Sequence, residues 1–571
     1  MALAVDLDQT FPRRFVPADA DMGVWEHVEP LFRRLLDERP ASPAALERWL
    51  EAVSELAAAI DEERARRYVA MTCQTDDPAH ERAYLFYIEQ IVPRVKPLAD
   101  ALDRAYLASP HRAALPERYR VLDRLIENRV SLFREENVPL ETEEARLKQQ
   151  YQKITGAMTV VFRGVEHTLQ QMARYLDETD RSLRQEAWEL VARRRLQDRE
   201  VLDEIFDQLL ALRERIARNA GCSDYRAFAF RQRERFDYTP EDCLRFHDAV
   251  EQTVLPVARR LNEERRQVLG LKTLRPWDLQ VDPLGRPPLR PFDNAEQLVT
   301  GVEEIVRRVD PALARQFRFM RDRSLLDLES RKGKAPGGYQ STMAERRVPF
   351  IFMNAVGLDD DLRTLLHEAG HAFHMLAARQ DPILEYRDAP LEFCEVASMG
   401  MEMLALPHLG VFYRSPEDTR RSQRRLLEQS VTLFPWIATI DAFQHWLYTR
   451  PEHSRAERRK AWLEILERFS AGVDYSGYED IQAAMWHRQL HLYQVPFYYI
   501  EYGIAQVGAL QVWQQARQNQ GEALQRYRQA LALGGTQPLP ALFAAAGARF
   551  DFSAATLRPL MREVEAALFS L

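Results

Sequence analysis

Cysteine is scarce in this chain. The 571 residues hold four, Cys73, Cys222, Cys243 and Cys394, and no two of them form a CxxC pair. That spacing excludes a cysteine zinc ribbon and a disulfide framework, and it predicts reduced thiols. Long apolar runs are missing as well, since no stretch approaches the roughly 18 uninterrupted apolar residues of a membrane span. The opening MALAVDLDQTFPRRF sets acids among its apolar residues and lacks a basic front and a small-residue cleavage site, so it does not read as a secretory signal. Positive charge is also in short supply: the formal net charge is −8 and the pI is about 6.0, a balance that argues against nucleic acid as a partner. The expectation is a soluble cytoplasmic protein with neither nucleic-acid nor membrane partners. No internal repeat or low-complexity tract stands out.

What is present is helix. Hydrophobic residues make up 46% and charged residues 29%, an ordinary globular balance, and the length exceeds what one core serves. Segments Ala45 to Arg67, His80 to Leu107, Glu141 to Ile154, Arg181 to Ala220 and Pro240 to Leu269 are rich in Ala, Leu, Glu and Arg. Their apolar residues recur every three or four positions, which predicts a mainly α fold. Three places break the pattern. Met158 to Leu169 (MTVVFRGVEHTL) predicts a small hairpin around Arg163–Gly164. Asp282 to Phe292 (DPLGRPPLRPF) is too proline-rich for helix. Lys332 to Asn354 holds a glycine turn and then the strand-like run VPFIFMN. A first boundary is placed near residue 170, giving a helical region 1–170 and a second helical region 171–571 with the motifs at 330–510.

The segment Leu365 to Leu376 reads LLHEAGHAFHML. On a helix His367 and His371 project from one face, one turn apart, which is the separation two imidazoles need to reach one tetrahedral zinc. Glu368, beside the first histidine, reaches the open coordination position as a general base. Asp359, Asp360 and Asp361 are expected to cap this helix and favour its first turn. A third protein ligand is still needed. Position 377 is Ala, which excludes the metzincin pattern, and His374 lies one turn too far along, so it reads as a packed histidine. The stretch Pro390 to Leu404 (PLEFCEVASMGMEML) offers Glu392, Glu395 and Glu402. Glu395 and Glu402 share a face, so one can ligate while the other orients a ligating imidazole.

HEAGH followed at this distance by E-V-A-S resembles the thimet oligopeptidase and oligoendopeptidase F family of zinc metallopeptidases. The resemblance implies that Glu395, heading the E-x-x-S segment completed by Ser398, is the third ligand of one zinc ion with His367 and His371. Downstream, Trp486 to Gly508 (WHRQLHLYQVPFYYIEYGIAQVG) looks like the family's histidine-plus-tyrosines segment. The implied oxyanion donors are His491, Tyr498, Tyr499 and Tyr502. His491, Tyr498 and Tyr502 form one stripe if a single helix runs through Pro496. Gln494–Val495–Pro496–Phe497 stands where the mammalian-type branch has a glycine-rich loop, a feature of the bacterial oligoendopeptidase F and Pz-peptidase branch.

By this resemblance the fold is a two-part, clam-like helical molecule around a deep channel. Region 1–170 would be a lid or wall, and a small β element would lie beside the metal helix. The substrates would be oligopeptides, cut internally by a monomer, with a homodimer as the alternative. Val348 to Asn354 is expected to expose an edge on which an extended peptide can pair, and Gly337–Gly338–Tyr339 is either a flexing turn over substrate or an ordinary tight turn. Two other classes fit the residues. One is a zinc aminopeptidase or carboxypeptidase, which needs a charged group fixed beside the metal. The other is a silent helical protein with a structural metal, which has no use for Glu368.

Overall fold

The computed structural model describes residues 5–571; the first four residues of the opening stretch lie outside the described residues. Helices dominate, as the three-to-four spacing predicts, but several predicted helices divide. Arg181 to Ala220 becomes Arg181–Gln197 and Arg199–Asn219, and Pro240 to Leu269 becomes Pro240–Thr253 and Leu255–Val268. Pro256, second in the later helix, lacks the N–H that a continuous helix would bond. The hairpin forms as expected: Thr159–Phe162 pairs antiparallel with Val165–Thr168. Its two-residue turn has positive φ at both Arg163 (52°) and Gly164 (84°), the handedness that matches strand twist. No helix among the described residues is long and apolar enough to cross a membrane, and all four cysteines are free.

A three-stranded sheet lies beside the helix Asp359–Ala378, which carries HEAGH. Its order places Val348–Ala355 in the centre, parallel to Leu326–Glu329 and antiparallel to Tyr339–Met343. The expectation of an exposed edge on Val348 to Asn354 is therefore corrected. Ile351, Phe352 and Met353 are buried, and a run this apolar is stable only with both edges and both faces covered. The edges fall instead to Leu326–Glu329 and to Tyr339–Met343, the latter directly after the glycine turn.

Two hydrophobic cores result. The smaller gathers Phe15, Val28, Trp49, Leu102, Tyr119 and their neighbours from the N-terminal helices, and it recruits Ile383 and Tyr386 from the connection between the metal and glutamate helices. The larger spans the remainder. The N-terminal helix Pro43–Cys73 reaches the sheet edge, where Thr72 Oγ1 lies 2.6 Å from the Tyr339 hydroxyl and Glu62 accepts the Arg346 backbone N–H at 2.8 Å.

Candidate metal centre and active site

The histidine helix runs Asp359–Ala378 and the glutamate helix Leu391–Ala405. They approach so closely at Gly370 that a Cβ there would stand 2.6 Å from the Ala397 carbonyl oxygen and the Ser398 Cα, so the glycine inside HEAGH serves helix packing. The start of the histidine helix differs from expectation. Leu358 occupies the N-cap, and Asp361 reaches back to accept the Leu358 and Val356 N–H groups at 2.7 and 2.8 Å. Asp359 is buried and accepts from Tyr413 and Ser422, while Asp360 pairs with Arg363.

The three glutamates left open by the sequence separate cleanly. Glu392 turns away and accepts from Tyr238 at 2.5 Å. Glu395 Oε2 lies 3.2 Å from His367 Nε2 and 3.4 Å from His371 Nε2. Glu402 Oε1 sits 2.7 Å from His367 Nδ1, which puts a proton on Nδ1 and leaves the Nε2 lone pair facing Glu395. Ligand atoms of His367, His371 and Glu395 all lie within 4.8 Å of one another. Two imidazole nitrogens and one carboxylate converging this way are the donor set of a catalytic zinc site with an open position, so these residues fit the ion. Ser398 Oγ donates to Glu395 Oε2 at 2.8 Å, and Tyr498 donates to Glu395 Oε1. His374 is 2% exposed, burial pushes it down to about 3, and it packs near Phe393.

Glu368 is buried, its Oε2 has no hydrogen-bond partner, and burial pushes its carboxyl up from the ordinary value. A Cβ on Gly338 would come 3.5 Å from Glu368 Oε1. The glycine turn thus brings the start of the edge strand Tyr339–Met343 against the Glu368 carboxylate.

His491 and the tyrosines do not share one helix. The short helix Leu490–Gln494 ends, Phe497 takes a left-handed φ of 62°, and a new helix starts at Tyr499. Pro496 has no N–H and disfavours helix at the residue before it. The corner is pinned from outside: buried Arg213 donates to the Leu492 carbonyl at 3.0 Å and to the Tyr493 carbonyl, and Arg235 donates to the Phe497 carbonyl. The bend still gathers the predicted residues. The His491 ring lies 5.7, 4.8 and 5.6 Å from those of Tyr498, Tyr499 and Tyr502.

A directed chain of donors runs through this group. Trp436 Nε1–H, which only donates, meets Gln489 Oε1 at 3.0 Å. The Gln489 amide nitrogen therefore faces His491 Nδ1 at 2.6 Å as donor, and His491 Nε2 carries the hydrogen toward the Tyr502 oxygen at 3.3 Å. The Tyr502 hydroxyl hydrogen is left to point elsewhere. Burial holds His491 down at about 4, so the ring is neutral at neutral pH. Tyr502 feels the charges of both Glu395 and Glu368, whereas Tyr499 turns its hydroxyl toward Gln489 and Trp436. Sequence reasoning missed Gln489 and Trp436. The position of Gln489, two residues before His491, was the one local signal; Trp436 comes from a distant helix.

The family model described as "Peptidase family M3" matches residues 174–562, and "Peptidase M3 N-terminal domain" matches 21–133. The chain is 27% identical over 147 residues to the chromosomal oligoendopeptidase F of Lactococcus lactis subsp. cremoris, which covers 25% of this chain and 23% of that protein. It is 24% identical over 305 residues to an oligoendopeptidase F homolog of Borreliella burgdorferi, or 50% of this chain and 49% of that one. The aligned stretches thus span about half or less of these curated relatives. The solved structure "Pz peptidase A with inhibitor 2" superimposes with a TM-score of 0.93 at 28% identity, covering 98% of this chain and 99% of that one. With a family model matching well over half its length, this chain belongs to peptidase family M3.

Proposed function

We propose that this protein is a zinc endopeptidase that hydrolyses internal bonds of short oligopeptides. The observation that carries this reading is the convergence of His367, His371 and Glu395 beside a buried carboxylate, Glu368, whose Oε2 has no hydrogen-bond partner among the described residues. Bound by those three residues, zinc would polarise a peptide carbonyl and acidify a water. Glu368 takes the proton of the attacking water and passes it to the leaving amine, a task suited to a carboxyl raised by burial. Tyr502, its own oxygen already accepting from His491, donates its hydrogen to the developing oxyanion. Tyr498 and Ser398 hold the Glu395 carboxylate in place, and Glu402 holds His367.

An extended peptide fits along the free edge of Tyr339–Met343, whose Gly338 end abuts Glu368. The helix Pro43–Cys73 against that edge makes region 1–170 a wall that excludes folded domains. An exopeptidase needs a charge free beside the metal, and the nearby Arg233 is already taken. It donates to the Pro496 carbonyl at 2.7 Å and lies 3.5 Å from Glu501.

The test is a peptide blocked at both ends, assayed with the parent protein and with Glu368→Gln. The parent should cut it internally, and the variant should keep its metal while kcat falls by about 10²–10⁴. Trimming only of unblocked termini, or a variant within about tenfold of the parent, would overturn this reading.

A further inference from the structure

A second cluster of ligating side chains lies in the core, away from the histidine helix. Cys243 and His247 stand one turn apart on Pro240–Thr253, and Asp441 and His445 stand one turn apart on Pro416–Tyr448. These two helices pack together, each presenting a pair of donors to the other, which is how metal sites are built inside helix bundles. Ligand atoms of Cys243, Asp441 and His445 fall within 4.8 Å of one another. His247 Nε2 is 2.8 Å from Asp441 Oδ2, and His445 Nε2 is 3.3 Å from the same oxygen. All four residues are sealed, at 0%, 1%, 0% and 5% exposure for Cys243, His247, Asp441 and His445.

Within this sealed space, Asp441 Oδ1, His445 Nε2 and His247 Nδ1 have no hydrogen-bond partner among the described residues. Buried polar atoms are nearly always paired, so three orphans in one cluster mark an absent partner. The neighbouring Arg235 does not supply it: its Nη2 is bonded to Glu501 at 2.8 Å and to the Phe497 carbonyl, and its Nε and Nη1 make no hydrogen bond among the described residues, to Asp441 or to any other group. The groups that answer Asp441 are the two imidazoles. Arg226 Nη1 lies 3.4 Å from His445 Nδ1. In a metal-free arrangement His445 would accept there and turn Nε2–H toward Asp441, which still leaves Asp441 Oδ1 bare.

We propose that Cys243, Asp441 and His445 form a structural zinc site, and that His247, which lies outside their 4.8 Å set and meets Asp441 at 2.8 Å, moves in as the fourth ligand. Binding releases the Cys243 thiol proton to solvent, and the thiolate and carboxylate then cancel the two charges of the cation. Two neutral imidazoles complete a tetrahedral set of zero net charge, which a dry interior tolerates. The site has no room for substrate, and its purpose is to hold. The Gln444 side chain, next to His445, accepts the Phe497 N–H, and the His445 ring lies edge-on to Phe497 at 5.4 Å. The ion therefore fixes the left-handed corner from which Tyr498 and Tyr502 depart.

A buried site fills as the chain folds, so the test is expression in cobalt-supplemented medium, with metal per chain and the near-ultraviolet spectrum measured on the whole protein. The parent should carry two ions and show a sulfur-to-cobalt charge-transfer band, which the His/His/Glu centre lacks the sulfur to produce. His367→Ala/His371→Ala should carry one ion and keep the band; two ions there would instead overturn the catalytic metal assignment and leave this one standing. Cys243→Ala should carry one ion and lose the band. Should Cys243→Ala not fold, Cys73→Ala/Cys222→Ala/Cys394→Ala carries the test, because it must keep the band. One ion or none in the parent, a band that survives Cys243→Ala, or a band lost in the triple variant overturns the proposal.

Discussion

Two clusters in this molecule are built by the same device, a pair of ligating residues one turn apart on a helix, and they differ in what surrounds them. His367 and His371 keep 19% and 15% of their side chains exposed. Beside them stand a partnerless carboxylate and a directed hydroxyl. Cys243, His247, Asp441 and His445 are themselves buried, and their walls include Phe230, Phe246 and Phe497. Spacing alone therefore marks where an ion can sit. Exposure and an idle acid–base group decide whether the site can do chemistry. An open coordination position with a base turns a metal into a catalyst, and a closed one turns it into a staple.

The comparison is sharpened most by Tyr502→Phe. If Tyr502 donates to the oxyanion, kcat should fall by about 10²–10³ with KM little changed, as for the loss of one donor acting only in the transition state. Tyr498→Phe should behave differently, since its hydroxyl holds Glu395: metal affinity falls first, and excess zinc restores much of the rate. Steady-state kinetics with and without added zinc separate the two. A silent Tyr502→Phe that only lowers Tm would reduce this residue to core packing.

A smaller effect is expected from Glu402→Ala. Removing the partner of His367 Nδ1 should weaken the catalytic zinc by about 10–100-fold, measured by competition with a chelator. The sulfur-to-cobalt band should not move. Loss of zinc in Glu402→Ala with retention in Glu395→Ala would exchange the two roles and break the assignment.

Much of the geometry of the open centre was legible because it is local. HEAGH and the E-x-x-S segment each lie within one helix, where side-chain direction follows from spacing. Val348–Ala355 was legible as a strand from its apolar run, yet its place in the sheet was not. Leu326–Glu329 alternates apolar and polar residues but is only four residues long and follows a helix, too short a run to announce a strand, and so the exposed edge was assigned to the wrong strand. The bend at Phe497 was hidden for a related reason. A proline inside a periodic pattern can kink a helix or end it, and the choice here is made by Arg213, Arg235 and Gln444, which come from other helices. The sealed cluster was invisible because its two halves, though each has the i, i+4 spacing, lie 194 residues apart in the chain.

The smallest of these effects tests how the open centre sets the direction of its hydrogen bonds. In the sealed cluster a carboxylate, Asp441, faces both imidazoles directly. In the open centre a neutral chain does the equivalent work, from Trp436 through Gln489 to His491 and Tyr502. Its polarity rests on the indole nitrogen of Trp436, which cannot accept. Gln489→Leu removes the middle link at similar volume, so His491 Nδ1 loses its donor and the tautomer that feeds Tyr502 is no longer enforced. A neutral hydrogen bond is worth about 0.5–1.5 kcal/mol, so kcat should fall by about two- to twelvefold while KM and metal content stay put. The double variant Gln489→Leu/His491→Ala should be no slower than His491→Ala alone, because the glutamine acts only through the histidine. Additive losses in that pair would mean that Gln489 meets the substrate itself, and the directed chain would have to be abandoned.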